Sequence, residues 1–433
     1  MSKKEFSTYL NCTSRSASLH EEANQYMPGG DSRSVTYHSP HPTFVKSASG
    51  CKLLTVDDEE LLDFVNNYTQ SVLGHAPERV VEAACEKFRR GNGLGAPTED
   101  IIRLAEILSD RIPSVERIRF ANSGTEATMN AIRGAMAYTH CEEILKVRGG
   151  YHGTHDSVEI GVGRPGRANI GIPKDVEERV HTVPFNDVGC LEREISKRAD
   201  ELACFIVEPI MGAGGMIPAE QEYLRAARDF TEEHDIILIF DEVMSFRLAH
   251  GGAQERYGVT PDLTALGKAI GGGLPVGAFG GKQEIMSVFH PERGEVSHSG
   301  TFNANPATMA GGVATMEELD SDVINRINDL GAEVRQGLRA ISADLEIPIK
   351  ITGDGSFFFI HFTEDEVKDA KSSTAGCESA KDLFLSLRNG GVFFAPRGMG
   401  NLSAPMGQSE VKELLTMMEH SLNKIEEESK ITA

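Results

Sequence analysis

Through the middle of the chain, short apolar runs alternate with longer segments whose apolar residues recur at helical spacing. The runs predict β-strands at 117–121, 144–148, 203–207, 236–240 and 276–279. The last three are apolar nearly throughout, which is typical of strands covered on both faces. Between the runs, the segments 125–139 and 220–234 predict helices. This alternation predicts an α/β fold with a mainly parallel sheet and right-handed crossovers.

The regions on either side show a different pattern. Upstream, amphipathic helices are predicted at 77–90 and 98–111. Downstream, the pattern predicts a helix, three short strands and a final helix, at 323–343, 349–352, 356–362, 391–395 and 409–427. This order is typical of a smaller α+β domain. We therefore predict an N-terminal segment that packs with the small domain, a large domain and a small C-terminal domain, at 1–65, 66–315 and 316–433.

Composition narrows the class of protein. With 433 residues, the chain is about three times as long as a typical domain of ~150 residues, which fits two domains. A formal charge of −22 disfavours nucleic acid or an anionic membrane as a partner, since both attract basic surfaces. Seven scattered cysteines without a C-x-x-C pair indicate a reducing compartment and no zinc module. No apolar run approaches the ~18 residues of a membrane span, so we expect a cytoplasmic protein. No metal site is predicted.

Two glycine motifs resemble nucleotide-binding loops but lack the required context. Gly161-Val-Gly-Arg-Pro-Gly166 matches G-x-G-x-x-G, yet it contains Pro165 and no convincing helix follows. A mobile surface loop is the favoured interpretation of this segment. Gly267-Lys268 resembles the end of a phosphate-binding loop, but Ala269 stands where a serine or threonine would hold magnesium. Neither motif predicts a nucleotide site.

A third segment is a better candidate for anion binding. Ser123, Gly124 and Thr125 lie between a predicted strand and a predicted helix. The backbone N–H groups at a helix N-terminus, together with two hydroxyls, form an anion site. Ordinary helix capping by serine or threonine is the alternative for this segment.

Lys268 and Asp241 stand in sequence contexts that favour chemistry. Lys268 lies among glycines and apolar residues, and a lysine held in such a setting has a lowered pKa and can form a Schiff base. Asp241 ends a buried strand, where ligands of α/β sheets bind. A solvated lysine, and a structural role for Asp241 as a cap or salt bridge, are the alternatives. Taken with the anion site, the two residues match what pyridoxal phosphate (PLP) needs: an amine, an acid for its ring nitrogen and donors for its phosphate.

Ordered motifs along nearly the whole chain support that cofactor. They include Met27-Pro-Gly-Gly30, Gly95-Ala-Pro-Thr-Glu99, Asn122-Ser-Gly-Thr-Glu-Ala127, Tyr151-His-Gly153, Val207-Glu-Pro209, Asp241-Glu-Val-Met244 and Gly300-Thr-Phe-Asn-Ala-Asn-Pro306. With these motifs the sequence resembles a fold-type-I, class III PLP-dependent aminotransferase, most closely the glutamate-1-semialdehyde aminomutase branch. The resemblance implies a large PLP-binding domain with a mainly parallel seven-stranded sheet, and a smaller α+β domain.

The resemblance also implies roles for individual residues. Lys268 would form the Schiff base and move the proton, and Asp241 would pair with the ring nitrogen. The other implied cofactor contacts are the phosphate ligands Ser123, Gly124 and Thr125, with Thr301 from a neighbouring subunit, the ring neighbours Tyr151 and Val243, and Glu208 near the phenolic oxygen. Ordinary packing is the alternative for Tyr151 and Val243. The reach of Thr301 implies a homodimer with shared active sites.

Two departures from the aminomutase pattern concern arginines. Gly29-Gly-Asp-Ser-Arg33 replaces the usual stretch ending in Ser-Pro-Val-Arg, so that Arg33 is displaced in register. Ala395-Pro-Arg397 supplies a second cation where the aminomutase tends to have a carboxylate. Two arginines suit an enzyme that accepts two different acids in turn, since arginine pairs bidentately with carboxylates. This pattern resembles the aromatic β-amino-acid aminotransferases, although a salt bridge at a subunit interface is the alternative for each arginine.

Our leading hypothesis is therefore an aminotransferase that moves the amino group of a β-amino acid, an aromatic one in particular, to an α-keto acid such as 2-oxoglutarate or pyruvate. The alternative is glutamate-1-semialdehyde 2,1-aminomutase, and a remote alternative is a non-catalytic PLP-binding homologue. From its glycine content and its place near Tyr151, the segment 157–174 is expected to gate the site.

Overall fold

A mixed α/β architecture is organised around one large sheet. The computed structural model describes residues 3–162 and 169–432. In this part of the chain the strands are β1 (Val45–Ser49), β2 (Lys52–Thr55), β3 (Glu60–Asp63), β4 (Arg117–Ala121), β5 (Glu143–Val147), β6 (Val180–Val183), β7 (Leu202–Val207), β8 (Ile210–Met211), β9 (Ile217–Pro218), β10 (Ile237–Asp241), β11 (Leu263–Gly267), β12 (Gly277–Gly281), β13 (Ile349–Thr352), β14 (Phe357–Phe362), β15 (Val392–Phe393) and β16 (Met399–Asn401).

The large sheet has seven strands in the order β4-β12-β11-β10-β7-β5-β6. β12 is antiparallel to both of its neighbours, and the other pairs are parallel. All residues of β7 and β10 are buried, because helices cover both faces of the sheet. The predicted α/β fold with a mainly parallel seven-stranded sheet is confirmed.

Helices connect these strands and cover the sheet. The α-helices of four or more residues in right-handed conformation are Lys3–Cys12, Ser14–Ala23, Glu78–Arg90, Glu99–Arg111, Gly124–Thr139, Asp156–Glu159, Lys174–Glu178, Val188–Lys197, Gln221–Glu233, Ala253–Tyr257, Gln283–Met286, Pro306–Glu318, Ser321–Asp344, Glu378–Asn389 and Gln408–Thr432. The predicted helices match them within a few residues at each end. In the described ranges, no helix combines the length and apolar character that crossing a membrane requires.

The sequence pattern missed two strands of the large sheet. β6 has only four residues, and β11 has the sequence Leu-Thr-Ala-Leu-Gly, which is poor in β-branched and aromatic side chains. β11 nevertheless forms because it pairs along its length with β10 and β12 in the buried centre of the sheet. Tertiary pairing therefore overrides weak local propensity at the strand that precedes Lys268.

The N-terminal segment shares a sheet with the C-terminal region. A four-stranded sheet has the order β1-β2-β3-β15, in which β15 pairs in parallel with β3. Tyr9 packs in a buried cluster with Phe384 and Leu385, and Arg388 forms an ion pair with Glu59. A three-stranded sheet, β13-β14-β16, completes the C-terminal region. We keep the division at 1–65, 66–315 and 316–433 as a proposal; its second boundary falls inside the helix Pro306–Glu318.

Candidate active site

The ends of three adjacent parallel strands bring together three of the predicted site residues. Asp241 is the last residue of β10, Glu208 directly follows β7, and Lys268 directly follows β11. Phe240 is in register with Val207, and Asp241 with Ala265. Because parallel strands end at the same edge of a sheet, the two carboxyl groups and the amine lie at one edge.

The predicted anion site lies at the start of a long helix. Ser123 is the N-cap of Gly124–Thr139, and its hydroxyl accepts a hydrogen bond from the backbone N–H of Glu126 at 3.2 Å. The hydroxyl therefore caps the helix. The N–H groups of the first turn have no acceptor within a helix, so a helix start with two adjacent hydroxyls is suited to an anion.

Three glycines let the backbone pack closely around this loop. A Cβ atom on Gly124 would lie 3.0 Å from Val243, and one on Gly267 would lie 3.3 Å from the same side chain. A Cβ on Gly277 would lie 2.0 Å from the carbonyl oxygen of Ser123. Any side chain at Gly277 would thus displace the loop. The close packing places Val243 beside the anion loop and beside the residue that precedes Lys268.

Lys268 combines a strained backbone with a perturbed side chain. Its φ of +49° lies in the left-handed region, which costs a residue other than glycine roughly 1–3 kcal/mol. Burial lowers the pKa of the Lys268 amine to about 8, although the carboxyl groups of Asp241 and Glu208 act in the opposite direction. A larger fraction of the amine is therefore neutral near physiological pH than for an ordinary lysine.

A buried histidine, to which the sequence analysis gave no role, holds Asp241. His152 Nδ1 lies 2.9 Å from Asp241 Oδ2, and the backbone N–H of Val243 donates to Oδ1 at 3.1 Å. Burial lowers the pKa of His152, which favours a neutral ring that donates Nδ1–H to the carboxylate. His152 Nε2 is buried without a hydrogen-bond partner in the described chain. The Tyr151-His-Gly153 motif was the sequence signal for this contact.

Glu208 links Tyr151 to the same cluster. Its carboxyl group accepts hydrogen bonds from the backbone N–H of Tyr151 at 2.9 Å and of Gly212 at 3.1 Å. Burial, with the Asp241 carboxylate as a second cause, raises the pKa of Glu208 to about 8. A protonated Glu208 near neutral pH can donate a hydrogen bond to an oxyanion. Tyr151 itself is 43% exposed, so its ring is open to a ligand.

A fully buried lysine beneath the site was also missed by the sequence analysis. Lys146 lies in β5 with no exposed surface, and its ammonium group donates to the carbonyl oxygens of Gly150 at 3.1 Å, Ile160 at 3.0 Å and Val158. These acceptors bracket the segment that carries Tyr151 and His152. Burial lowers the pKa of Lys146 to about 8. A lysine within an apolar strand gives no local sign of such contacts.

The two predicted substrate arginines, Arg33 and Arg397, are far apart in sequence, but both lie near Tyr68. The guanidinium carbon of Arg33 is 5.4 Å from the centre of the Tyr68 ring, and Arg33 Nη1 donates to Asn67 Oδ1 at 2.8 Å. Burial raises the pKa of Tyr68 to about 12, while Arg33 and Arg397 both act to lower it. Arg397 Nη2 also contacts the carbonyl oxygen of Ala213 at 3.4 Å. Both charges thus lie within electrostatic reach of the Tyr68 ring. We call this exposed region, formed by Arg33, Arg397 and Asn66–Thr69, the mouth of the site.

The backbone at this mouth is unusual. Asn66, Asn67, Tyr68 and Thr69 all have positive φ, at 46°, 49°, 54° and 79°, and form a left-handed turn. The left-handed conformation costs roughly 1–2 kcal/mol for each residue other than glycine. Asn66 and Thr69 are buried, whereas Asn67 is exposed. Sequence reasoning did not identify this turn, and its two asparagines are the only local signal for it.

Two predictions concern residues farther from this cluster. Thr301 is exposed, and the described chain shows no hydrogen bond from it to the anion loop. Its segment is nevertheless tied to that loop, since Asn122 Nδ2 donates to Asn303 Oδ1 at 2.8 Å. The contact of Thr301 across subunits stays a prediction. The gating predicted for 157–174 concerns a segment of which 163–168 lie outside the described residues.

The residues present fit PLP as a cofactor. One edge of the sheet offers a partly neutral lysine amine, a carboxylate fixed by histidine and a helix start for a phosphate, and glycines clear the space beside that helix start. Among the described residues, no cluster of histidine, cysteine, aspartate and glutamate is arranged to hold a metal ion.

Comparison with known proteins gives consistent matches. The profile of the family described as Aminotransferase class-III matches residues 34–421. Among curated proteins, the glutamate-1-semialdehyde 2,1-aminomutase of Methanothermobacter thermautotrophicus is 44% identical over 392 residues, which are 88% of this chain and 92% of that protein.

Solved structures share the fold over nearly the whole chain. An ω-transaminase from Sphaerobacter thermophilus has a TM-score of 0.92 at 39% identity, covering 96% of this chain and 98% of its own. The β-phenylalanine aminotransferase from Variovorax paradoxus has a TM-score of 0.90 at 32% identity, with coverages of 96% and 95%. A transaminase solved with PLP bound has a TM-score of 0.91 at 36% identity, with coverages of 96% and 99%. These matches confirm the predicted fold type and cofactor.

Proposed function

Because this chain belongs to the class III aminotransferase family, we propose that it is a PLP-dependent enzyme that transfers the amino group of a substrate carrying a carboxylate. One observation carries this proposal. Lys268, with a lowered pKa, lies with Asp241 and Glu208 at one edge of the sheet, and Arg33 is close enough to contribute to that lowering. The family, the fold and the cofactor predicted from the sequence are confirmed, while the roles of individual residues remain proposals.

The buried residues would divide the work as follows. When bound, PLP supplies an electron-withdrawing ring that stabilises negative charge on the substrate carbon. Asp241, oriented by His152, would accept a hydrogen bond from the ring nitrogen and keep that nitrogen protonated. Lys268 Nζ would hold and move the proton at the substrate carbon, since its pKa near 8 suits both acceptance and donation at neutral pH. Glu208 would donate a hydrogen bond to the phenolic oxygen.

Other residues would bind the cofactor rather than act on protons. The proposed phosphate ligands are the helix start at Ser123, Gly124 and Thr125. Val243 packs beside that loop, and Tyr151, held through its backbone by Glu208, would cover the ring.

For the substrate, the first candidate reaction is that of glutamate-1-semialdehyde 2,1-aminomutase. The supporting observation is the 44% identity to an enzyme of that name over 88% of this chain. The names of the curated relatives thus favour the alternative of the sequence analysis over its leading hypothesis. Arg33 would pair with the one carboxylate of the semialdehyde.

The second candidate is amino transfer from a β-amino acid to an α-keto acid, which was the leading hypothesis from the sequence. A specific observation favours it. The charges of Arg33 and Arg397 both act to lower the pKa of Tyr68, so two cations lie near this one ring. Two cations suit two different acids bound in turn. The fold similarity to the β-phenylalanine aminotransferase of Variovorax paradoxus is compatible with this reaction.

One pair of assays separates the two reactions. The holoenzyme is supplied with glutamate-1-semialdehyde alone, and 5-aminolevulinate is measured; in parallel it receives 3-amino-3-phenylpropanoate with 2-oxoglutarate or pyruvate, and glutamate or alanine is measured. Formation of 5-aminolevulinate without added keto acid is expected for the first candidate. Amino acid formed only in the second assay would reject the aminomutase in favour of the transaminase. Absence of both products would contradict both reactions.

We further propose a cytoplasmic homodimer in which Thr301 reaches the partner subunit's phosphate site. Light scattering would give the oligomeric state. Hybrid complementation would test the shared site: Lys268→Ala and Thr301→Arg subunits are each inactive alone, but mixing them creates one site with both residues intact. Recovered activity is expected, and its absence in a proven hybrid dimer would contradict sharing. The remote alternative of a non-catalytic homologue is set aside, because the family is one of enzymes.

A further inference from the structure

The left-handed turn Asn66–Thr69 is held on its buried side by a polar network. Asn66 Nδ2 donates to the backbone carbonyl of Asn401 at 2.9 Å, and Asn401 Nδ2 donates to the carbonyl of Val65 at 2.8 Å. Arg247, fully buried, donates through Nη1 to the carbonyl of Thr69 and to Asn401 Oδ1, both at 3.1 Å. This network fixes a backbone conformation that these residues disfavour on their own.

The exposed side of the same turn holds Arg33. Asn67 Oδ1 accepts the hydrogen bond from Arg33 Nη1, and the face of the Tyr68 ring lies beneath the guanidinium group. A hydrogen bond at one edge and a ring at one face restrict the orientation of a long, exposed side chain. The other N–H groups of the guanidinium are directed elsewhere and can meet a bidentate acceptor.

A cavity lies between this turn and the backbone that follows Lys268. It measures about 520 Å³, and its lining includes Arg33, Asn67 and Tyr68 together with Ala269 and Gly272, which follow Lys268. Lys268 itself does not line this cavity. The charge of Arg33 nevertheless helps to lower the pKa of Lys268, so the guanidinium group lies within electrostatic reach of the amine. A substrate whose carboxylate meets Arg33 while its reacting carbon meets Lys268 must match the distance between these two side chains.

We propose that the turn Asn66–Thr69 is the specificity-determining element for the substrate carboxylate, and that Asn67 is the residue that positions Arg33. This inference rests on the proposed function, in which Arg33 receives that carboxylate. Asn67 supplies an uncharged acceptor, so it orients the guanidinium without neutralising it. An aspartate at this position would pair with Arg33 as an ion pair and compete with the substrate.

Matched ligands make the inference testable without turnover. The holoenzyme is titrated with 5-aminolevulinate and with 3-amino-3-phenylpropanoate, and with their counterparts lacking the carboxylate, 1-aminobutan-2-one and 1-phenylethylamine. The fast absorbance change on mixing, before the amino group is transferred to the cofactor, gives each dissociation constant. Wild type is expected to bind at least one acid about tenfold more tightly than its counterpart, as one charge-assisted contact implies.

The variants are Asn67→Asp and Asn67→Gly, with Asn186→Asp and Asn186→Gly as controls. Asn186 also has a left-handed backbone, with φ of 58°, but its side chain bonds to the carbonyls of Pro218 and Lys368. Asn67→Asp is expected to weaken the preferred acid about tenfold and Asn67→Gly about threefold, with under twofold change for the counterparts. The glycine variant keeps the backbone conformation and still decides the question if the aspartate variant does not fold.

The possible outcomes distinguish a missing carboxylate contact at Arg33 from a missing role of Asn67. Equal affinity of wild type for each acid and its counterpart would overturn both the proposed carboxylate contact and this inference. A wild-type preference that neither Asn67 variant changes would overturn this inference alone. Equal losses for acid and counterpart, or the same loss in the Asn186 controls, would also overturn it.

Discussion

The site has two regions that hold their functional groups in different ways. One is the exposed mouth, and the other is its buried floor, which we call the base and which contains Asp241, His152, Glu208 and Lys268. At the base, Asp241 and His152 are each at most 5% exposed and are fixed by short contacts at strand ends. At the mouth, Arg33 and Arg397 are exposed and rest on a few contacts with loop residues. Burial shifts pKa values at the base, whereas the guanidinium groups at the mouth are open to solvent.

Because the two regions are held differently, chemistry and substrate specificity can change independently. A residue at the base cannot change without disturbing desolvated partners, because a buried polar group that loses its partner destabilises the fold. A residue at the mouth is oriented by one or two contacts that solvent can replace. We expect substitutions at the base to lower turnover for every substrate, and substitutions at the mouth to change which acid binds.

The largest effect is expected at Lys268. Lys268→Ala removes the only amine that this proposal places at the reacting carbon, so kcat should fall by about 10³-fold or more. Single-turnover absorbance measurements, with PLP in excess, would show whether substrate still binds while proton movement stops. Lys350→Ala, at an exposed position of β13, is the control and should keep full activity. Substantial turnover in Lys268→Ala would contradict the role assigned to Lys268 in moving the proton.

A second prediction concerns pH. Since the pKa of Lys268 is lowered to about 8, its amine is protonated below that pH and neutral above it. Capture of free PLP by the apoenzyme should therefore become about tenfold faster for each pH unit up to pH 8 and then level off. Stopped-flow absorbance measures this rate. A rate that keeps rising to pH 10 would show that Lys268 has the pKa of an ordinary lysine.

A third prediction tests the hidden support of the base. Lys146→Met keeps a four-atom stem in place of the lysine stem but leaves three buried carbonyl groups without their donor, which costs roughly 2–5 kcal/mol. The melting temperature should fall. The value of kcat should fall about tenfold, because the segment that carries Tyr151 and His152 is held less firmly. Lys350→Met is the matched surface control. An unchanged melting temperature would mean that water replaces the lysine.

The smallest effect is expected at the mouth. Arg397→Ala removes one exposed cation, so KM should rise about threefold to tenfold for one acid while kcat stays within twofold. The steady-state constants of the assay pair above measure this, and Arg225→Ala, on a distant helix, serves as control. If kcat fell as far as in Lys146→Met, the contrast between base and mouth would be wrong.

Much of the base was accessible from sequence because it lies at strand ends. The apolar run before Asp241 predicts a buried strand, and the glycine-rich context of Lys268 predicts an amine in an apolar setting. In the structure Asp241 ends β10 and the pKa of Lys268 is lowered by burial, as those patterns indicate. Local patterns suffice here, since a parallel sheet brings successive strand ends to one edge.

The choice of reaction was less accessible. Arg33 and Arg397 were identified by their departure from a family pattern, but 364 positions separate them, and their common neighbour Tyr68 was not recognised. The sequence therefore pointed to β-amino acids, whereas the curated relatives favour the aminomutase. Substrate choice depends on how exposed side chains are oriented, which local periodicity does not encode.

Local sequence patterns were enough to predict the α/β order, the strand that carries Asp241, the glycines around the anion loop and the apolar setting of Lys268. The contacts between distant side chains emerged from the folded structure. There His152 holds Asp241, and Lys146 binds carbonyl groups of the segment that carries His152. Four residues adopt a left-handed turn against Arg247 and Asn401. The two kinds of interaction differ in how far along the chain they reach. Hydrophobic periodicity acts over one element, but a hydrogen bond between distant side chains exists only after packing has brought their elements together and excluded water.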